Sequence, residues 1–383
     1  MQFPTLQELE DAAIAAVPDS DFGGDSWREG LACLLASVRD EGAPNELGIA
    51  ALRQQAMQFL VNRRAIQRCY RDHPEIDAEE ISAPLFSIGM VRTGTTALSY
   101  LLEQDPDNRS LLHWQAMSPC PPPETAHLHD DPRIAETAIQ MQTPGLSTKE
   151  KALIELLPDG PAECLHLLGL DFKSGHFEGM FSVPSYHDWL FSTDLTPAYE
   201  WEKKTLKLLQ WRAPTKRWML KYPSHTIALP AIASVFPNAR FVATHRDPVK
   251  SVTSVCSLVH KGSGMLWQKE DLAYLGRQWT SIVEEQLRRM MAYRESADPS
   301  RFIDFHNDDL VRRPMETLEA LYDWMGAEIT PAARAGFEGR ITNNPKGVYG
   351  AHSYEPATYG LDVDELRERF RFYTDHYNVR AEN

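Results

Sequence analysis

Between residues 89 and 96 the chain reads Gly-Met-Val-Arg-Thr-Gly-Thr-Thr, which combines two glycines, three hydroxyl groups and one guanidinium. The apolar run 85–88 precedes this stretch, and leucines at helical spacing begin at Leu98. A strand, a short loop and a helix in this order bring backbone N–H groups together at a helix N-terminus, where the helix dipole favours an anion. The glycine spacing is that of a phosphate-binding loop, but Thr95 stands where a nucleoside triphosphatase has lysine, and the cation, Arg92, precedes the second glycine. We therefore predict a phosphate-type anion site here, in preference to an ordinary tight turn.

A second group with phosphate-binding chemistry begins at Arg246. It follows the predicted strand 240–244, and open α/β sheets bind their ligands at the C-terminal ends of their strands. Ser254 lies eight residues further on, about two turns along the next helix. A guanidinium fork and a hydroxyl group suit a terminal phosphate. The alternative is a surface ion pair between Arg246 and Asp247 with a solvent-facing serine, and this motif taken alone favours neither.

Lys221 and His225 lie at the end of another predicted strand, 218–221. An ammonium group can neutralise charge on a bridging or leaving oxygen, and an imidazole can accept a proton from a hydroxyl group near neutral pH. The alternative for His225 is a structural histidine with satisfied hydrogen bonds. Because three strand ends would bring cations and polar groups to one crevice, we predict that both residues are catalytic.

Two further polar clusters are not predicted to be sites. Residues 127–131 contain two histidines and two aspartates, but they fall in a polar loop with no apparent distant set of partner ligands. The glutamates at 284–285 are most simply a solvated helix face. We therefore predict that the protein needs no metal.

The order of apolar runs and helical patterns predicts an α/β fold. A strand, a helix and a strand between residues 218 and 244 form a βαβ unit, which requires parallel strands and a right-handed crossover. Helices are predicted over 249–259 and 271–293. Strands are predicted at 85–89, 110–114, 218–221, 240–244 and 301–305. The predicted architecture is a parallel sheet flanked by helices, as in P-loop nucleoside triphosphatases.

Two parts of the chain are predicted to be mostly helical. Residues 1–80 form a helical N-terminal cap, and residues 81–383 form the α/β domain with a helical insertion at about 131–213. Aromatic residues are dense over 172–201; most are expected in the core, and a minority could wall an apolar pocket.

Composition limits the classes of function. The net charge of −15 argues against a general nucleic-acid binder, which needs a basic face. The five cysteines are dispersed and read as reduced thiols. No secretory signal and no membrane-spanning apolar run are visible, so we expect a cytoplasmic protein without stable membrane insertion.

Together these residues resemble the motifs of sulfotransferases that use 3′-phosphoadenosine 5′-phosphosulfate (PAPS). In that family a loop with a cation two residues before Gly-Thr-Thr binds the 5′-phosphosulfate, and a strand-end arginine with a serine eight residues later binds the 3′-phosphate. The bacterial branch with arginine in the first motif is the most similar. The resemblance implies that the donor is bound by Arg92, Thr93, Gly94, Thr95, Thr96, Arg246, Ser254 and, more loosely, Lys346 and Gly347.

The chain departs from the family pattern in three places. Ala97 stands where cytosolic members often have a tryptophan that stacks on adenine. The spacing from Lys221 to His225 is two residues longer than usual. Gln115 lies where some relatives have a catalytic glutamate, and a neutral glutamine cannot accept a proton. His225 is therefore the predicted base, with His113 as the second candidate.

The resemblance implies transfer of a sulfuryl group from PAPS to a hydroxyl or amine of a small molecule, and the aromatic segment favours an apolar acceptor. His225 would deprotonate the acceptor, while Arg92 and Lys221 would stabilise the transferring group and the departing phosphate. Two alternatives stay open: a P-loop small-molecule kinase, which needs the Walker lysine and an acidic strand end for magnesium, and a non-catalytic nucleotide-binding protein. The oligomeric state is also open, with a homodimer as one option.

Overall fold

The computed structural model describes residues 2–142, 156–343 and 355–382, and its centre is a parallel sheet. Every residue of β1 is buried, as expected for a mainly apolar strand that is covered on both faces of the sheet. The strands are β1 Leu85–Gly89, β2 Asn108–Ser110, β3 Arg217–Lys221, β4 Arg240–His245 and β5 Phe302–His306, in the spatial order β2-β3-β1-β4-β5. All four pairings are parallel, which confirms the predicted fold class.

Helices surround this sheet. Three precede it: α1 Leu6–Ala16, α2 Ser26–Asp40 and α3 Glu46–Asp72. In the described residues between β1 and β3 there are six: α4 Thr95–Leu102, α5 His113–Met117, α6 Arg133–Gln140, α7 Leu165–Gly169, α8 Pro184–Ser192 and α9 Thr196–Gln210. The others are α10 Leu229–Val235, α11 Pro248–Ser263, α12 Leu272–Arg294, α13 Asn307–Arg312, α14 Pro314–Met325, α15 Pro331–Asn343, α16 Val363–Arg369 and α17 Arg371–Tyr377.

The register of the sheet brings its functional strand ends to one edge. Gly89, at the end of β1, pairs with Thr244, near the end of β4. On the other side of β1, Ser87 pairs with Lys221, the last residue of β3. The loops that follow these three strands therefore begin side by side.

The edge strand β2 is shorter and earlier than predicted. It pairs with β3 over three residues only, up to Ser110. The prediction of a strand over 110–114 was wrong beyond its first residue, Ser110, because β2 ends there and α5 begins at His113. The backbone N–H of His113 donates to the Gly160 carbonyl oxygen (3.1 Å), and that of Ala116 donates to the Leu112 carbonyl oxygen (2.9 Å).

The N-terminal helices share a hydrophobic core with the aromatic middle segment and the sheet. Leu52 and Phe59 of α3, Phe172 and Phe86 of β1 belong to one buried cluster. The Phe59 ring packs edge-on against Phe172 with centroids 5.9 Å apart. The division into a cap, an α/β domain and an insertion stays a prediction. Within the described residues, no helix is long and apolar enough to cross a membrane.

Candidate active site

The loop after β1 packs so closely against its neighbours that a side chain at either of its two glycines would clash with them. Gly89 and Gly94 have φ angles of 122° and 94°. A Cβ atom at Gly89 would lie 2.5 Å from the Thr244 carbonyl oxygen, and one at Gly94 would lie 2.6 Å from Nδ2 of Asn307. Arg92, with φ of 67°, is also in the left-handed region. These two glycines therefore allow the loop to fold closely between β4 and α13, with α4 starting directly behind it.

The three threonines of this loop have different surroundings. Thr93 is fully buried, and its hydroxyl group contacts the Met90 carbonyl oxygen (2.9 Å) and the Thr244 hydroxyl group (2.6 Å). Its side chain thus fastens the loop to β4 and does not line the cleft. Thr95 and Thr96 line the cleft together with Gly94.

The cleft in front of this loop has a volume of about 420 Å³. Its polar lining side chains include Arg92, Thr96, Glu163 and Arg246. Its apolar lining side chains include Leu165, Val255, Leu258, Val259 and Trp279. Its size and mixed lining are those of a small-molecule site.

The two predicted anion-binding motifs meet in this cleft. Nε of Arg92 donates to the Ser254 hydroxyl group (3.2 Å), and Nη1 of Arg246 donates to the Arg92 carbonyl oxygen (2.9 Å). Nε and Nη2 of Arg246 donate to the carboxylate of Glu382, both at 2.8 Å. The backbone N–H of Glu382 is held by the Asp247 carboxylate (2.8 Å). Arg92 and Ser254, which are 162 positions apart in the sequence, thus belong to one cationic surface. The side-chain carboxylate of Glu382 lies at the rim of this surface.

A buried lysine and a partly exposed glutamate lie beside the loop. Nζ of Lys221 donates to the Thr96 hydroxyl group (3.1 Å) and to the Glu163 carboxylate (3.0 Å). The side chain of Glu163 is 29% exposed. The backbone N–H of Cys164, its neighbour, donates to the Lys221 carbonyl oxygen (2.9 Å), which holds this segment against the end of β3. Sequence reasoning missed Glu163, since a single glutamate outside any motif carries no signal.

His225 lies behind the cleft. It is part of a short 3-10 helix, Pro223–Ile227, and its side chain is fully buried. Nδ1 is 2.8 Å from the Tyr199 hydroxyl oxygen, and the ring packs edge-on against Phe86. Burial lowers the pKa of His225 to about 3. Its assignment as the base stays a prediction, and the geometry does not favour it, because the imidazole does not line the cleft.

The second predicted base is buried as well. Nδ1 of His113 contacts the carbonyl oxygens of Leu157 (2.9 Å) and Gly160 (3.1 Å), and burial lowers the pKa of His113 to about 4. His176 does line the cleft, and burial lowers its pKa to about 4.

Lys346 and Gly347 fall outside the described residues. His127 forms an exposed pair with Asp130 (2.9 Å), and Glu284 is paired with arginines on α12 and α16. Neither of the two discounted clusters faces the cleft.

Comparisons with known proteins agree with the geometry. The model of the "Sulfotransferase family" matches residues 84–331. The crystal structure of sulfotransferase STF9 from Mycobacterium avium is 31% identical with a TM-score of 0.91, covering 99% of this chain and 98% of that one. That of sulfotransferase STF1 from Mycobacterium tuberculosis is 32% identical with a TM-score of 0.85, covering 96% of this chain and 98% of that one.

The name of one curated relative specifies the substrate of that relative. Omega-hydroxy-beta-dihydromenaquinone-9 sulfotransferase Stf3 from Mycobacterium bovis is 25% identical over 256 residues, which are 63% of this chain. The match spans 62% of the length of that relative.

Proposed function

The chain belongs to the sulfotransferase family, for which PAPS is the general sulfuryl donor, and we propose that it transfers a sulfuryl group from PAPS to a hydroxyl group of a small apolar acceptor. One observation carries this proposal. The predicted anion-binding loop with Arg92 lines a single cleft together with apolar side chains and with Glu163, whose carboxylate contacts Lys221.

The donor side of the cleft consists of loop 89–96, Lys221, Arg246 and Ser254. Backbone N–H groups of the loop and the Arg92 guanidinium would hold the 5′-phosphosulfate, since both present positive charge to one spot. Arg246 and Ser254 would hold the 3′-phosphate. The contacts between these two motifs support one nucleotide that bridges them.

Glu163 is the group we propose as the proton acceptor. It stands in the cleft with its carboxylate beside Lys221, whereas His225 is enclosed behind β1 and β3. In the transfer, the acceptor oxygen bonds to sulfur as the bond from sulfur to the bridging phosphate oxygen breaks. The hydroxyl proton goes to Glu163, and the bond electrons stay on adenosine 3′,5′-bisphosphate, where Lys221 and Arg92 stabilise the charge. We propose that no metal takes part in this transfer.

The acceptor side consists of Glu163, Leu165, Val255, Leu258, Val259 and Trp279. These side chains, apart from Glu163, offer hydrocarbon and indole surface without charge. The name of the curated relative describes a hydroxyl-bearing substrate, and a hydroxylated lipid or isoprenoid-type alcohol would satisfy both the carboxylate and the apolar wall.

Incubation of the purified chain with ³⁵S-labelled PAPS and a panel of apolar and polar alcohols tests the proposal. We expect label in the apolar alcohols and tight, metal-independent binding of adenosine 3′,5′-bisphosphate. Magnesium-dependent consumption of ATP would favour the kinase. Nucleotide binding without transfer to any acceptor of the panel would favour the non-catalytic alternative.

A further inference from the structure

Three buried side chains with metal-ligating chemistry meet in the interior of the protein. The Sγ of Cys164, a carboxylate oxygen of Glu202 and a ring nitrogen of His225 all lie within 4.8 Å of one another. Cys164 precedes α7, Glu202 belongs to α9 and His225 belongs to the 3-10 helix 223–227, so three separate elements contribute. All three side chains are fully buried. The fold therefore brings together a thiol, a carboxylate and an imidazole that are far apart in the sequence.

The polar atoms of this group are poorly satisfied. Among the described residues, Nε2 of His225 has no hydrogen-bond partner, and the Glu202 carboxylate has none of good geometry apart from the Cys164 thiol beside it. A buried polar group without a partner is destabilising, and more so when it is charged. Such atoms in a folded protein call for a bound water or ion. The unpartnered imidazole nitrogen beside a buried carboxylate and a thiol points to a ligand between them.

The surroundings orient His225 for such a ligand. Its Nδ1 is 2.8 Å from the hydroxyl oxygen of Tyr199, and the tautomer with the proton on Nδ1, which donates to this oxygen, leaves the lone pair on Nε2 available to a ligand. Metal-bound histidines usually donate their other ring N–H to a partner in this way. The backbone N–H of Cys164 is fixed to the Lys221 carbonyl oxygen at 2.9 Å. Two of the three proposed ligands, His225 and Cys164, are thus each held in place by a hydrogen bond to another part of the chain.

We propose that Cys164, Glu202 and His225 bind one zinc ion. Thiolate and imidazole ligands favour zinc over the hard cations magnesium and calcium, and zinc is commonly held by sulfur, nitrogen and carboxylate oxygen together. A thiolate and a carboxylate neutralise the two positive charges of the ion, which suits a buried site. When the ion binds, the Cys164 thiol and the Glu202 carboxyl group each release a proton to the buffer, and a water completes the fourth position.

This ion is structural and is separate from sulfuryl transfer. None of its three ligands lines the cleft. The proposed ion would connect α9 with the segment that follows β3 and with the segment that precedes α7. These two segments also carry His225, four residues after Lys221, and Cys164, the neighbour of Glu163. The site is independent of the proposed function, and its failure would leave that proposal untouched.

The metal content of the full chain, purified from zinc-supplemented culture, tests the proposal. We expect about one zinc per chain by mass spectrometry, and at least tenfold less in Cys164→Ser and in Glu202→Gln. Cys256→Ser is the matched control, because Cys256 is also a buried thiol but lies on α11 near the Leu275 carbonyl oxygen (3.7 Å). Folded wild-type protein with less than a tenth of an equivalent of zinc would overturn the proposal and indicate a buried water in its place.

A measurement on the wild-type chain covers the case in which the ligand variants do not fold. Zinc-edge X-ray absorption should show one sulfur at about 2.3 Å and nitrogen or oxygen ligands at about 2.0–2.2 Å. Removal of the ion with dipicolinate should lower the melting temperature, and zinc added back should restore it. A bound zinc with no sulfur neighbour, or a melting temperature that dipicolinate does not change, would contradict the site.

Discussion

The donor side and the acceptor side of the cleft are built in different ways. Five of the residues predicted to bind the donor are consecutive, from Arg92 to Thr96, and their geometry follows from one turn between β1 and α4. The acceptor side is assembled from the start of α7 with the residues just before it, from α11 and from α12. A contiguous loop can present its backbone N–H groups to any phosphate. Side chains that come from several separate elements can be substituted without changing the geometry of that loop. We infer that the donor side defines the reaction and the acceptor side defines the substrate.

Glu163→Gln should have the largest effect, and it tests the chemistry of the acceptor side. The amide keeps the size of the side chain but cannot accept a proton, so kcat should fall by about 10²- to 10⁴-fold. Steady-state kinetics with labelled PAPS would measure this loss. Binding of adenosine 3′,5′-bisphosphate is the internal control and should stay close to wild type. An unchanged kcat would remove Glu163 as the base and make His176, the histidine that lines the cleft, the next candidate.

Arg92→Ala tests the centre of the donor side. Loss of one preorganised cation at the reacting group should lower kcat/KM by about 10²- to 10³-fold. Arg92→Lys should recover part of the loss, because charge is restored without the guanidinium fork. Arg288→Ala is the matched control, since Arg288 is an exposed residue of α12 paired with Glu284. Full activity of Arg92→Ala would contradict the role of the loop.

Arg246→Ala separates the two phosphate positions of the donor side. A hydrogen bond to a charged group contributes about 1.5–3 kcal/mol, so the Kd of adenosine 3′,5′-bisphosphate should rise by about 10- to 100-fold. Binding of adenosine 5′-phosphate, which lacks the 3′-phosphate, should hardly change. Calorimetry with both nucleotides measures the difference. Equal weakening of the two would show that Arg246 does not face the 3′-phosphate.

Leu258→Ala tests the apolar wall of the acceptor side. Truncation of a cleft-lining leucine should raise the KM of an apolar alcohol by about tenfold, as expected for the loss of contacts in a hydrophobic pocket. The KM of a short polar alcohol and the Kd of the nucleotide serve as controls. If all three change together, the wall is not specific to the acceptor.

Glu382→Gln should have the smallest effect and concerns the rim of the donor side. The Glu382 carboxylate is 38% exposed and occupies the fork of Arg246 that a phosphate would need. Partly exposed ion pairs contribute about 0.2–1 kcal/mol, so its removal should tighten nucleotide binding by about two- to fivefold. Weaker binding by calorimetry would mean instead that Glu382 orients Arg246 for the ligand.

The family and the parallel α/β fold could be predicted from the sequence, and both predictions are confirmed. They depend on local features: apolar strands, glycines where the backbone must turn and a serine eight residues after Arg246. The strand over 110–114 was misjudged because the contact that begins α5, from the His113 N–H to the Gly160 carbonyl oxygen, spans 47 residues.

The surroundings of the candidate bases were beyond local reasoning. His225 has a suitable intrinsic pKa, but its burial depends on Phe86 and Tyr199, which come from β1 and α9. Glu163 faces Lys221 only because the chain crosses the end of β3 there. Exposure and proximity are properties of packing, and a single sequence does not reveal them.

The sequence by itself determined that a strand, a glycine-containing turn and a helix would follow one another around residues 89–96, because each step depends on neighbours along the chain. Only the tertiary structure decided which side chains surround that turn. It places Glu163 in the cleft and encloses His225 with Cys164 and Glu202 behind it. The reason is physical: backbone conformation responds to nearby residues, whereas solvent exposure and long-range contacts are set by the packing of the whole chain.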